Sequence, residues 1–152
     1  MKASCSKSST GAYDSQVPPQ IIGIAHVELS VTDLDRSVDW YCRLLGARDV
    51  WRGANEKGGY KACAILEPVT HTVLAFTEHV AEKRVPFSPL VPGLDHLSFR
   101  VADRAAIDAW VAWMDEIGVA HDRVNDDAVT IGLNLRDPDG IALEFYHLYP
   151  RT

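Results

Sequence analysis

Two histidines and a glutamate, His26, His96 and Glu144, are the residues in this chain best suited to chemistry. Imidazole nitrogens and a carboxylate oxygen suit a divalent first-row metal, and a 2-His-1-carboxylate set leaves coordination positions open for water or substrate. An ion held in that way is a Lewis acid and an orienting template. The three lie far apart in the chain, so they act together only if the elements carrying them present them to one place.

Those elements are written twice. Gly23, His26, Val31, Asp33 and Trp40 return as Gly93, His96, Val101, Asp103 and Trp110, always at an offset of 70 (93−23, 96−26, 101−31, 103−33, 110−40). Matches held in one register indicate a duplicated unit. In 22–31, Ala25, Val27, Leu29 and Val31 fall on one face and Ile24, His26, Glu28 and Ser30 on the other. Period two with one apolar face predicts a half-buried strand. Thr32 or Asp33 caps a helix in which Leu34, Val38, Tyr41, Cys42 and Leu45 recur at helical spacing until Gly46 ends it. Strands at 47–52, 60–67 and 71–77 complete the first module, with a polar loop at 53–59 and a turn at 68–70. The modules span about 21–79 and about 93–150, joined by a linker with three prolines, Pro86, Pro89 and Pro92.

The second module repeats the plan. A strand at 94–101 leads to the cap Asp103, and Ile107, Trp110, Met114 and Ile117 form the buried stripe of a helix ended by Gly118. Strands follow at 119–124, 130–136 and 141–147, the last two joined by the turn Asp137-Pro138-Asp139-Gly140. Trp40 and Trp110 are helix residues matched by the repeat and read as structural. Each helix covers the apolar face of its strand, so His26, His96 and Glu144 point the other way. If the two four-stranded sheets curl toward each other, the three meet in one concavity and form a metal site. The alternative is a metal-free pocket on the same fold. A lone sheet-face histidine is ordinarily hydrogen-bonded or solvated, so the weight rests on all three sharing a side and two being related by the repeat.

Composition narrows the class. The 152 residues are 47% hydrophobic and 24% charged, enough for one domain with a substantial core. A net charge of −6 argues against a nucleic-acid surface, and no apolar run approaches the length of a membrane span. Residues 1–20 are rich in Ser and Lys, lack the apolar stretch of a secretory signal, and read as a flexible tail hinged at Pro18-Pro19. Cys5, Cys42 and Cys63 are odd in number and not at metal-binding spacing, which predicts free thiols in a reducing cytoplasm.

Gly23-Ile24-Ala25-His26-Val27, Thr32-Asp33-Leu34-Asp35-Arg36-Ser37, Trp40-Tyr41, Leu44-Leu45-Gly46, Gly93-Leu94-Asp95-His96-Leu97 and the run Arg136 to Phe145 together resemble the vicinal oxygen chelate superfamily. Its members include glyoxalase I, methylmalonyl-CoA epimerase, extradiol dioxygenases, fosfomycin-modifying thiol transferases and bleomycin-resistance proteins. The resemblance covers about 21–150. It implies an α+β fold of two tandem βαβββ modules forming a cupped mixed sheet with the helices outside and the metal inside. It implies metal ligands at His26, His96 and Glu144, a divalent Fe, Mn, Zn or Ni ion, and a small-molecule substrate whose two adjacent oxygens chelate that ion. A further ligand, often Glu, stands on the last strand of module one in glyoxalase I and the epimerases. Here that slot holds Ala75, which neither ligates nor accepts a proton, and this argues against their chemistry.

Other residues share the cup-facing parity. Glu28 is a candidate base or a partner orienting a ligand, or else belongs to a salt bridge within the cup. Arg100 and Arg136 are candidates for holding an anionic group, and Tyr146 and Asn134 for hydrogen-bonding a substrate oxygen. His79 has the same parity but stands at a strand end, where solvent is the expected environment. Trp51 lies near the rim, where it could stack on a ligand. The expected protein is a cytoplasmic metalloenzyme with dioxygenase-like or glyoxalase-like lyase chemistry, expected as a homodimer, its modules cupping within one chain or across the dimer. The rival reading is a metal-free protein that sequesters a drug or metabolite.

Overall fold

A computed structural model of the protein describes residues 20–80 and 85–150; the expected N-terminal tail, apart from its last residue, and Cys5 lie outside them. The elements run β1 (Val27–Ser30), α1 (Leu34–Leu45), β2 (Arg48–Asn55), β3 (Tyr60–Leu66), β4 (Val73–His79), β5 (Leu97–Arg100), α2 (Arg104–Ile117), β6 (Asn125–Asp126), β7 (Thr130–Arg136) and β8 (Ala142–Leu148). They form two mixed four-stranded sheets ordered β1-β4-β3-β2 and β5-β8-β7-β6. In each, the first strand pairs in parallel with the last, and the remaining pairs are antiparallel. This is the duplicated βαβββ plan. No helix among the described residues is long and apolar enough to cross a membrane.

The helices start and stop where their caps stand. Asp33 accepts the N–H of Arg36 at 3.1 Å and Asp103 that of Ala106 at 2.9 Å. Gly46 and Gly118 end α1 and α2 at φ 63° and 69°, a left-handed conformation that costs glycine nothing sterically. The alternating patterns become burial: Leu29, Leu74, Phe76, Ile131, Leu133, Leu143 and Phe145 turn inward and meet Val38, Tyr41, Leu44, Ile107 and Met114 from the helices in one continuous core. Trp110 stacks on Phe145 with ring centroids 4.0 Å apart.

Several expectations about strands change, and the strands expected over 22–31 and 94–101 shorten to β1 and β5, leaving His26 and His96 just before them. Gly53 does not open a loop: β2 runs on through it, with Gly53 opposite Ala62 and only 56–59 forming the turn. Two carbons of the Trp51 indole lie 2.5 and 2.6 Å from where a Cβ on Gly53 would stand, so glycine here makes room for a ring. The strand expected over 119–124 is reduced to a bridge between His121 and Leu135, with ladder pairing beginning only at Asn125. Its alternation reflects other demands, since Val119 is buried and donates its N–H to Met114 at the end of α2.

A polar clasp joins the modules. The Asp137–Gly140 turn between β7 and β8 seats on α1: Asp139 accepts the Thr32 N–H (2.9 Å), the Thr32 hydroxyl and the Arg36 guanidinium (2.6 Å). The buried Asp137 accepts the Tyr41 hydroxyl at 3.1 Å, and the Trp113 indole donates to the Leu44 carbonyl at 2.9 Å. Burial raises the pKa of Asp137 above the ordinary carboxylate range, despite hydrogen bonds from the N–H groups of Ile141 and Asp139 that pull the other way. Its folded-state pKa therefore exceeds its unfolded value near ~4. The stability it contributes is full below that value and is lost as pH rises through the raised one. Asp137→Asn keeps the acceptor oxygen and removes the titration. Urea midpoints for wild type and variant should therefore diverge in the variant's favour as pH climbs from about 4; parallel pH profiles would refute this assignment.

Candidate functional site

The module-two sheet brings a ready pair together. His96, expected inside a strand over 94–101, stands one residue before β5, and its Nε2 lies 3.8 Å from Oε2 of Glu144 on β8. That is too long for a hydrogen bond. It suits two donors sharing one ion, because ligands about 2.1 Å from a common centre lie roughly 3 to 4 Å apart. The other imidazole nitrogen, Nδ1, is 2.6 Å from Oδ1 of Asp95. A carboxylate only accepts, so Nδ1 donates to Asp95, and in the neutral imidazole that leaves the Nε2 lone pair toward Glu144. Ser98, opposite Glu144 in the β5–β8 register, donates to Glu144 Oε2 at 2.8 Å.

Glu144 fits because of a neighbour. A Cβ on Gly132, one strand over, would stand 2.9 Å from Glu144 Oε1, so any other residue there would displace the carboxylate. Tyr146 lies opposite both Arg100 and Gly132, placing it and Arg100 further along the same face. Among the described residues Arg100 makes no ion pair and does not neutralise Glu28. Arg136 bends back to the Gly140 carbonyl at 3.3 Å.

The module-one sheet carries the complementary face. His26 precedes β1 as His96 precedes β5, and it is exposed. Glu28 lies opposite Ala75 in the β1–β4 register, as Ser98 lies opposite Glu144 in β5–β8. Ala75 therefore occupies the counterpart of the Glu144 position, and the carboxylate of this module stands one strand over, at Glu28. The Thr77 hydroxyl donates to Glu28 Oε1. A cavity of about 580 Å³ opens on this face, lined by His26, Glu28, Trp51, Tyr60 and His79 among others.

One copy of the chain does not gather the three expected ligands into one group. β1 and β5 are outer strands that do not touch each other. No three His, Cys, Asp or Glu side chains among the described residues form a metal-binding group. His26 and Arg100 border a common 670 Å³ cleft between the modules, whose lining does not include His96 or Glu144. Burial raises the Cys42 thiol pKa and pushes that of Cys63 up to about 11, so neither is a ready thiolate at neutral pH. Asp95, Ser98, Thr77 and Gly132 escaped the sequence reading as site residues. Ser98 had the right parity and Asp95 adjoins His96 in sequence, but contacts across strands gave Thr77 and Gly132 their roles.

Known proteins share this pattern. The Glyoxalase/Bleomycin resistance protein/Dioxygenase superfamily pattern matches residues 23–145. Catechol-2,3-dioxygenase of Bacillus subtilis (strain 168) is 29% identical over 129 residues, covering 85% of this chain; the chain spans 42% of that relative's length. The structure of a glyoxylase/bleomycin resistance protein/dioxygenase domain from Frankia sp. EAN1pec superposes with a TM-score of 0.76 at 29% identity, covering 86% of this chain and 100% of that one. A fosfomycin resistance protein, FosX, from Listeria monocytogenes, complexed with Mn(II) and 1S,2S-dihydroxypropylphosphonic acid, shares the fold with a TM-score of 0.61 at 15% identity, covering 84% of this chain and 93% of that one. With its duplicated modules, their topology and the matched span of residues, this chain belongs to the glyoxalase/bleomycin resistance protein/dioxygenase superfamily.

Proposed function

We propose that this chain is one subunit of a homodimeric metalloenzyme whose site is completed between copies. His96 and Glu144 of one copy and His26 of the other hold a divalent Fe, Mn, Zn or Ni ion. The observation carrying this reading is the His96–Glu144 pair, 3.8 Å apart, with the far nitrogen of His96 tied to Asp95. The open edges of β1 and β5 support assembly between copies. So do Ile22 and Ile24, 99% and 85% exposed just before β1. Fully burying such a side chain contributes about 1.5–3 kcal/mol. Catechol-2,3-dioxygenase by its name, and the Mn(II)-bound FosX complex, lend the metal and small-molecule reading their weight.

When bound, the ion supplies Lewis acidity and open positions for two adjacent substrate oxygens. The chain's own residues do the rest. Glu28, oriented by Thr77, accepts a substrate proton; Tyr146 hydrogen-bonds a substrate oxygen; Arg100 holds an anionic group. With Ala75 in place of a further carboxylate, dioxygenase-like chemistry is favoured over glyoxalase-like lyase chemistry. The free thiols Cys42 and Cys63 suit a reducing cytoplasm. The rival reading, a metal-free protein sequestering a drug or metabolite, draws on the absence of a three-donor group among the described residues of a single copy. Elemental analysis of gently purified protein decides between them. About one ion per chain is expected on the first reading, whereas stoichiometry near zero in every preparation would leave only the second.

A further inference from the structure

The repeat is not symmetric around its two histidines. β1 begins one residue after His26 and β5 one residue after His96. Three residues before each histidine stands a glycine of matching backbone, Gly23 at φ 155° and Gly93 at φ 158°. The two imidazoles thus hang from equivalent places in the two modules. What precedes them differs: Asp95 stands before His96, and Ala25 before His26. Asp95 Oδ1 lies 2.6 Å from His96 Nδ1, whereas no described residue hydrogen-bonds the His26 ring.

A neutral imidazole carries one proton, and His96 has a carboxylate near each nitrogen. Asp95 is within hydrogen-bond distance of Nδ1, and Glu144 Oε2 lies 3.8 Å from Nε2. A proton on Nε2 is drawn toward Glu144, and it covers the lone pair that an ion requires there. We infer that Asp95 is a positioning residue of the proposed ion site, holding the His96 proton on Nδ1 against the pull of Glu144. Module two then presents a nitrogen and a carboxylate ready for an ion. Module one, with Ala25 in the matching place, presents a histidine whose ion-facing nitrogen nothing in its own module selects. The effect on ion binding rests on the metalloenzyme reading; the choice of nitrogen does not. Groups that orient a metal-bound histidine contribute about 10- to 100-fold in affinity. The Asp95 side chain is 76% exposed, so water competes with it and the effect belongs at the lower end of that range. The role needs an acceptor and not a charge: the carbonyl oxygen of an asparagine accepts from Nδ1–H, and an alanine offers nothing.

The test uses full-length wild type, Asp95→Ala, Asp95→Asn and Ala25→Asp, with circular dichroism confirming the fold of each. In protein stripped of metal, at a pH where the nitrogen shifts show a neutral ring, long-range proton–nitrogen spectra locate the His96 proton. It should sit on Nδ1 in wild type and in Asp95→Asn, and on Nε2 in Asp95→Ala. Mn(II), titrated by calorimetry, should bind Asp95→Ala about tenfold more weakly than wild type, and Asp95→Asn within about threefold of it. Ala25→Asp, at an exposed position, gives His26 the partner that His96 has and should tighten Mn(II) about tenfold. An Nε2 proton on His96 in wild type, or the same nitrogen protonated in wild type and Asp95→Ala, would overturn the assignment. Equal Mn(II) affinity in wild type and Asp95→Ala, or no gain in Ala25→Asp, would do the same for its effect on the ion. Wild type that takes up no Mn(II) refutes the metalloenzyme reading, while the spectra of stripped protein still decide which nitrogen Asp95 selects.

Discussion

His96→Ala should lose bound metal by at least about 100-fold, the upper end of what disturbing even an outer-shell partner costs. The effect is large because His96 supplies half of the pre-formed pair. Its Nε2 faces Glu144 at 3.8 Å, and its proton is held on Nδ1 by Asp95. Without the imidazole, a single carboxylate, hydrogen-bonded by Ser98, remains on that face. The fold should be untouched, since the His96 side chain is 49% exposed and lies outside β5. Surface changes of that kind stay within about 0.5 kcal/mol. Inductively coupled plasma analysis after equilibration with excess ion, beside a thermal melt, is the measurement. Unchanged occupancy with an unchanged melt would remove His96 from the ligand set.

Mixing two inactive variants should restore what neither has alone. In a site shared between copies, a His26→Ala chain still offers His96 and Glu144, and a His96→Ala chain still offers His26. A heterodimer of the two has one intact site and one doubly damaged site. Random re-pairing of equal amounts gives half heterodimers, so about a quarter of all sites recover metal and activity. A site built within one chain would recover none, because every chain lacks a ligand. The separation of β1 from β5 within the chain favours recovery. Denaturing and refolding the variants together, with each refolded alone as control, distinguishes the outcomes.

The arrangement around Glu144 depends on geometry that period-two reasoning reaches only in part. Parity puts Glu28, Ser98 and Glu144 on the faces turned away from the helices, and the register agrees. It does not show that Ser98 is the donor to Glu144, nor that the carboxylate needs Gly132 beside it, because those contacts cross strands distant in sequence. Gly53 shows the converse. Read along the chain it looks like a loop residue; in the sheet it is the space beneath an indole. Glycine marks either a free backbone or a close approach, and its neighbours in space decide between them.

Two features followed from local order alone: the duplicated βαβββ plan and the direction of each candidate ligand. Alternation of apolar residues on a strand, their helical recurrence, and an aspartate before and a glycine after each helix are consequences of backbone geometry and need no distant partner. Tertiary structure decided how the halves meet. It seated the Asp137–Gly140 turn on α1 and buried Tyr41 against Asp137, joining the modules through helices and a hairpin while leaving β1 and β5 as open edges. Sheet edges carry no record in sequence of which strand, or which copy of the chain, will lie beside them. Hence the side on which His26 is placed is legible in the alternation leading into β1, whereas the histidine and glutamate it would meet depend on packing between modules and, in the proposed dimer, between chains.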